Sequence, residues 1–436
     1  MSLPSGDDNS HIVEISSPNP PSANETTAPS NPNHRHLKVL VLDEEIPFPL
    51  NSGKRIRTWN LLRNLCQQHS IAFLCYGTAE DPGLPHLEGL GIQVLLVPPL
   101  PAANSFHFYA GAFANLFSAW PYSVSRHHTR KFTRAIRSLL AKQSFDLVHC
   151  EWTPYASYMD AVGRLSMLIM AHNIEATVWR RRAQHASNLP ERLFMGLQAW
   201  KMARFEKKSF ARAGYVAVVT DEEARTARQW GARAVSLVSN GVDTEYLQPT
   251  GEAPEPDSLL FLGSLDWQPN RDALLYLLRE ILPRIQTANP RAKLRVVGRQ
   301  PATKLREQVE GLSGVEWVGE VPDIRPHFAR AFVVLVPLRI GGGSRIKILE
   351  SMSMGKAVVA TRIGAEGLDV VPGIHCLIAD SPADFCQSVV QLLDDPERAA
   401  ELGRKGRELV LRQYDWGRVA KILEQAWIET ASAAHK

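Results

Sequence analysis

The sequence predicts an α/β protein: two doubly wound, Rossmann-like parallel-sheet domains facing a central cleft, preceded by an unstructured tail. Three observations carry that expectation. Apolar runs alternate with segments of helical spacing in two series, as parallel strands covered by helices on both faces require. A stretch rich in Pro, Glu and Gly, TEYLQPTGEAPEPD at 244–257, separates the series as a linker would. A chain of 436 residues also exceeds one core of ordinary size.

In chain order, residues 1–36 are rich in Ser, Pro and Asn and contain no apolar run, so they read as a disordered tail without a signal-peptide core. The first domain spans 37–243. HLKVLVLDEEIPFP opens it with a buried strand, and GKRIRTWNLLRNLCQQH follows with Ile56, Trp59, Leu62 and Cys66 at helical spacing. SIAFLCYG, IQVLLVPP, FDLVHCEW, LSMLIMAHN and GYVAVVTDEEARTAR continue the theme. The second domain, 258–414, restarts it with SLLFLGSLDW, DALLYLLREILPRI, AKLRVVGRQ, VEWVGEV, AFVVLVPL and KAVVATRIG. A last helix occupies 415–436, with Asp415 as its N-cap. In such a fold, ligands bind at the carboxyl ends of the strands, between the domains.

Composition narrows the function classes. Apolar and charged fractions of 44% and 22% belong to a soluble globular protein, and a net charge of +4 gives no reason to expect nucleic acid as a partner. Five cysteines form no C-x-x-C pair, which argues against a zinc site or a disulfide framework and for a reducing compartment. Segment 102–125, AANSFHFYAGAFANLFSAWPYSVS, has no charged residue, and its length invites a membrane span. Asn104, Ser105, His107, Asn115, Ser118 and Pro121 weaken that reading in favour of a partly exposed apolar element touching lipid or a greasy substrate. The basic stretch 179–212 interleaves Leu193, Phe194, Leu197, Trp200 and Phe205. It fits either an amphipathic core helix or a helix resting on an anionic membrane surface.

The chemistry concentrates in GGGSRIKILE. Gly341, Gly342 and Gly343 follow the strand VVLVPL and run into a helix starting near Ser344. Glycine lets a ligand approach the backbone, and a helix start offers unpaired N–H groups. Arg345 and Lys347 add cations, so the turn suits a phosphate. It is neither a Walker loop nor a G-x-G-x-x-G fingerprint. Glu350 fits two roles, accepting hydrogen bonds from a ribose or forming a surface i,i+3 pair with Lys347. His172 ends the run LSMLIMA at the cleft, where it can donate to a reacting sugar, take a proton, or be merely structural. His149 sits similarly, deeper in its run. PLNSGKRIR places Ser52, Gly53 and three cations at another helix start.

HNIE, VSNGVDTEYLQP, FLGSLDWQPNRDAL, GGGSRIKILESMSMGKAVVATRIGAEGLDV and YDWGRVAKILEQAW together resemble the GT-B fold retaining glycosyltransferases of family 4, from residue 37 onward. The branch they are most similar to assembles bacterial exopolysaccharide and surface glycans. That resemblance implies a UDP- or GDP-sugar donor as co-substrate, no cofactor, and a glycan or lipid-linked acceptor. It implies that Gly263, Ser264, Arg271, Gly341, Gly342, Gly343, Ser344 and Arg345 face the diphosphate, and that Glu350 holds the ribose. His172 would lie near the transferred sugar, and Ser52 and Gly53 would close over the phosphates. Front-face attack would need no carboxylate nucleophile, and the absence of Asp-x-Asp implies no essential metal. The enzyme would be cytoplasmic, in peripheral contact with the inner face of the membrane.

Two departures stand out. Gly342 occupies the position of the family's first glutamate, eight residues before Glu350. Ser264 and Asn270 replace an Arg and a Lys that clamp the diphosphate, leaving Arg345 or Lys54, Arg55 and Arg57 to meet that charge. They keep two rivals open: a non-catalytic nucleotide-binding scaffold, and a nucleotide-sugar epimerase.

Overall fold

The computed structural model describes residues 13–14, 35–101, 106–184, 186, 188–299, 306, 309, 311–340 and 345–433. The chain forms two compact units, Met1–Ser239 with Ala420–Lys436, and Asn240–Val419.

The sheet of the first unit contains β1 (Val13–Glu14), β2 (Lys38–Leu42), β3 (Ser70–Tyr76), β4 (Gln93–Val97), β5 (Leu147–Cys150), β6 (Met167–Ala171), β7 (Tyr215–Val218) and β8 (Val235–Leu237), in the order β1-β4-β3-β2-β5-β6-β7-β8. All its neighbours pair in parallel except the two-residue β1, which runs antiparallel to β4. The sheet of the second unit contains β9 (Ser258–Leu262), β10 (Lys293–Val297), β11 (Val315–Gly319), β12 (Val333–Val336), β13 (Ala357–Ala360) and β14 (Leu377–Ile378), all parallel in the order β11-β10-β9-β12-β13-β14. The two-domain parallel α/β expectation therefore holds.

Sheets covered on both faces need apolar residues at successive positions. Val39–Leu42, Leu147–Cys150 and Met167–Ala171 are accordingly buried throughout. Polar residues are then confined to the strand ends. Leu42 pairs with Cys150 and Cys150 with Ile169, so the carboxyl ends of β2, β5 and β6 lie side by side. The chain winds outward in both directions from β2/β5, and likewise from β9/β12 in the second sheet. These are the topological switch points where α/β sheets bind ligands.

Three expectations change. Residues 244–257 are packed onto the second unit and do not form a free linker: Leu247 is buried, and its carbonyl accepts from Ser353 Oγ at 2.5 Å. The helix Gly53–Leu65 buries Arg57, Thr58, Leu61, Leu62 and Leu65, while Ile56, Trp59 and Cys66 stay partly exposed. Its inner face is turned from the apolar stripe because Arg57 and Thr58 have polar partners inside. The apolar segment breaks into the helices Phe106–Asn115 and Tyr122–His127, and no helix among the described residues is long and apolar enough to cross a membrane. Asn115 is buried between them, donating to Trp120 O and Ser125 Oγ and accepting from Gln198. Apart from Val13–Glu14, the tail 1–34 lies outside the described residues.

The final helix, Trp416–Ala433, starts where Asp415 accepts the Gly417 N–H at 2.9 Å, and from Ala420 onward it belongs to the first unit. Trp427 is fully buried there. Trp427→Ala should destabilise the first unit by about 3–5 kcal/mol, the cost of emptying a large aromatic site. Hydrogen exchange during urea titration should show protection lost in β2 and β5 first, with β9 and β12 unaffected. Equal loss in both units would contradict this placement.

Candidate functional site

Three strands of the first unit end in ionisable residues: Asp43 after β2, Glu151 after β5 and His172 after β6. The Glu151 N–H donates to Leu42 O at 3.0 Å, which joins two of these ends. The helix Gly53–Leu65 closes over them. Ser52 is its N-cap, accepting the Arg55 N–H at 3.3 Å, and Gly53 is its first residue. Lys54 Nζ sits between Asp43 and Glu44 at 2.6 and 2.7 Å. Burial pushes Asp43 up to about 7 although Lys54 opposes it. Burial works against the Lys54 charge, but the two carboxylates outweigh it and raise the pKa. Arg55 pairs with Glu45, and buried Arg57 donates to Val238 O and Ser239 O at 2.7 and 2.6 Å. All three cations of this helix start are therefore engaged within the first unit.

Glu151 is the hub. Oε1 accepts the Thr58 hydroxyl at 2.8 Å and faces His172 Nε2 at 3.2 Å, while Oε2 faces His149 Nε2 at 2.7 Å. Burial disfavours its charge, but the His149 contact, then His172, outweigh burial and hold the carboxyl well below its ordinary range. His149 Nδ1 accepts from Trp427 Nε1 at 2.8 Å. An indole N–H only donates, so His149 carries its proton on Nε2, toward Glu151. Burial lowers His172 below its ordinary value, against the pull of Glu151. It is a neutral imidazole at pH 7.

In the second unit, Gly263 and Ser264 follow β9. A Cβ at Gly263 would lie 2.9 Å from Asn270 Cγ, and a Cβ at Gly298 would overlap the Gly263 carbonyl. The loops after β9 and β10 touch through bare backbone. That approach lets Arg299 Nε donate to Ser264 Oγ at 2.8 Å, while the same hydroxyl donates to Asp266. Asn270 Nδ2 donates to Ser264 O at 2.8 Å and its Oδ1 accepts from Lys347 Nζ at 2.6 Å. Arg271, half-buried on the helix Gln268–Tyr276, has no acidic partner among the described residues.

Ile346–Ser353 is the helix expected after the glycines, starting two residues past Ser344 and burying Ile346, Leu349 and Met352 as the spacing required. Gly341, Gly342, Gly343 and Ser344 lie outside the described residues. Arg345 is buried, with Nη2 2.8 Å from Glu366 Oε2 and Nε donating to Glu366 O at 3.2 Å. Glu350 does not form the i,i+3 pair: Lys347 is taken by Asn270, and the half-buried Glu350 carboxylate has no partner among the described residues. Burial raises Glu350 to about 7 against Lys347, and lowers Lys347 to about 8 against Glu350.

Sequence reasoning singled out His172, Glu350 and the cation Lys347 but passed over Glu151 and Arg299 as site members. Glu151 had a usable signal, since it follows an apolar strand as His172 does. Trp427 had none. Replacing Gly298 by Ala should cost about 1–3 kcal/mol through overpacking. Calorimetry of the second unit's melting transition checks this, and an unshifted transition would show that the loops can part.

Comparison with known proteins completes the site. Residues 52–241 match the glycosyl transferase 4-like domain, and residues 256–395 match glycosyl transferases group 1. The lipopolysaccharide 1,2-N-acetylglucosaminetransferase of Salmonella typhimurium is 27% identical over 219 residues, covering 44% of this chain and 56% of that protein. The match thus spans about half the length of that relative. Among solved structures, the sucrose-phosphate synthase of Thermosynechococcus elongatus superposes with a TM-score of 0.66 at 19% identity, over 91% of this chain and 100% of that one. Anabaena HepE, in complex with UDP and glucose, gives 0.60 at 14% identity, over 89% and 99%.

Proposed function

The chain belongs to the glycosyltransferases of GT-B fold, and we propose that it moves a sugar, with retention, from a nucleotide-sugar donor to a glycan or lipid-linked acceptor in surface-glycan assembly. Glu350 carries this reading. A half-buried carboxylate with no partner among the described residues, one turn into a helix at the switch-point edge of a parallel sheet, suits the hydroxyls of a ribose. UDP in the Anabaena structure makes a uridine donor the first to test, and the Salmonella relative's name supports a lipid-linked acceptor.

The second unit binds the donor. Arg271, Lys347 and Arg299 are the cations offered to the diphosphate, joined by Arg345 if it leaves Glu366, and by the backbone of Gly263, Ser264 and Gly341–Ser344. Ser52 and Gly53 in the first unit are assigned to phosphate, and His172 to the transferred sugar. Attack comes from the donor's own face, with the leaving phosphate taking the acceptor's proton, so no carboxylate nucleophile is assigned. Cations meet the diphosphate, and no essential metal is required. The enzyme works in the cytoplasm against an anionic leaflet. Phe113, Phe117, Leu189, Leu193 and Trp200 are more than half exposed, at 67%, 84%, 67%, 65% and 57%. The last three share one face of the helix Leu189–Arg212, where Arg204 covers the Trp200 ring at 4.9 Å. Lysines and arginines of that helix supply charge to match anionic headgroups.

A panel of UDP-, GDP- and ADP-sugars, read by mass, should reveal hydrolysis or transfer that survives EDTA. Nucleotide binding without turnover on any acceptor would favour the scaffold reading instead. UDP affinity should rise with pH through about 7, because ribose hydroxyls favour ionised Glu350 and binding then releases a proton. It should fall again above about 8, as Lys347 loses its charge. Calorimetric titration across pH 6–9 should lose its acid limb in Glu350→Gln and its alkaline limb in Lys347→Arg (values around these pKa positions). An unchanged acid limb in Glu350→Gln would remove Glu350 from the ribose.

A further inference from the structure

We propose that Glu151 is the positioning residue that makes His172 a hydrogen-bond acceptor toward the sugar, with the Nδ1 lone pair presented outward and the proton held on Nε2. This deepens the reading in which His172 serves the transferred sugar, and rests on it. The geometry comes from contacts of four buried groups. An ionised carboxylate can only accept, so every group it faces must turn a proton toward it. Thr58 supplies its hydroxyl hydrogen to Oε1. His149 turns its Nε2 hydrogen to the Oε2 side, 2.7 Å away though out of line for an ideal hydrogen bond, because Trp427 has already claimed Nδ1.

His172 meets the same requirement from the other side. Its Nε2 is walled off from solvent and lies 3.2 Å from Oε1. It is out of line for an ideal hydrogen bond, yet no other acceptor is near it among the described residues. If that nitrogen were the bare one, two lone pairs would face each other in a dry site. The Nε2–H tautomer avoids this repulsion. Nδ1 is then the deprotonated nitrogen; it has no partner among the described residues and keeps access to solvent.

The sequence left open whether His172 donates or accepts, and Glu151 decides it. A sugar hydroxyl donates to Nδ1 and keeps its proton, the acceptor's proton going to the leaving phosphate; an imidazolium formed by protonation from solvent at lower pH is one that Glu151 stabilises. The other charges around the ring are Lys54 and Arg57, which oppose that imidazolium, and Glu44, which favours it. Trp427 and His149 lie behind Glu151. They keep the second carboxylate oxygen supplied with a donor, so His172 does not compete for it.

Nitrogen-15 NMR of the full chain, labelled at histidine and assigned with His172→Gln, reads the tautomer directly. In the unaltered protein above the imidazole pKa, His172 should be protonated at Nε2 and bare at Nδ1. Glu151→Gln keeps the shape but can turn an amide N–H toward Nε2, so the Nδ1–H form should grow. Turnover should then fall roughly 100-fold, the cost of misplacing a group that orients the reacting sugar. UDP affinity should stay within about two-fold, and Glu151→Asp should restore part of the rate, since the relevant difference is the charge (a change of one pKa unit being tenfold).

A dominant Nδ1–H form in the unaltered protein would overturn the proposal even if no variant folds. So would an unchanged tautomer in Glu151→Gln. A tautomer that inverts while turnover is kept would uphold the positioning by Glu151 and count against the role of His172 in transfer.

Discussion

An ionised carboxylate taken out of water costs several kcal/mol unless donors surround it, and at the carboxyl edge of the first sheet Glu151 has the Thr58 hydroxyl as a hydrogen-bond donor and two imidazole nitrogens close by. Thr58 comes from the helix Gly53–Leu65, His149 from β5 and His172 from the end of β6. Because the carboxylate must stay paired, the helix face carrying Thr58 turns inward and its apolar stripe turns partly outward. Trp427 from the last helix then fixes the tautomer behind it. Satisfying one charge thus links the first helix, two strand ends and the last helix.

Close backbone approach has the corresponding role in the second unit. Gly298 and Gly263 let two loops touch, which brings Arg299 onto Ser264 and Asn270 within reach of Lys347. Lys347, held by Asn270, is withdrawn from its helical neighbour Glu350. A carboxylate that would otherwise make an ordinary surface pair is left for a ligand. The same cluster bears on the second of the departures from the family pattern, at Ser264 and Asn270. Asn270, standing where the family has a lysine, serves here as the acceptor that positions a lysine from another helix. Ser264, standing for an arginine, receives one from the next loop.

Burial pushes the two groups that matter most in the same direction, and their neighbours make the outcomes opposite. Glu350 is raised because nothing nearby outweighs desolvation, so it can change charge when a ligand arrives. Glu151 is held low because its neighbours outweigh desolvation, so its charge is a fixed part of the fold. In the proposed function the first is a binding group and the second a support for one. Only their surroundings separate them, since both are glutamates near the end of a buried element.

Apolar runs were enough to locate the central strands, because a strand covered on both faces must be apolar at successive positions. The short edge strands β8 and β14 escaped notice, having three and two residues and little burial. His172 drew notice because it stands where an apolar strand meets a turn, and Glu350 because it lies on the helix that follows the glycines. The register of Leu42, Cys150 and Ile169 was not legible, and it is what collects Asp43, Glu151 and His172. Nor could the pattern show that Trp427, 278 residues after His149, supplies the donor that sets its proton. Local sequence determined which residues lie at strand ends, because burial imposes a period on the chain. Tertiary structure alone decided which nitrogen carries a proton, because that depends on donors and acceptors brought together from distant segments.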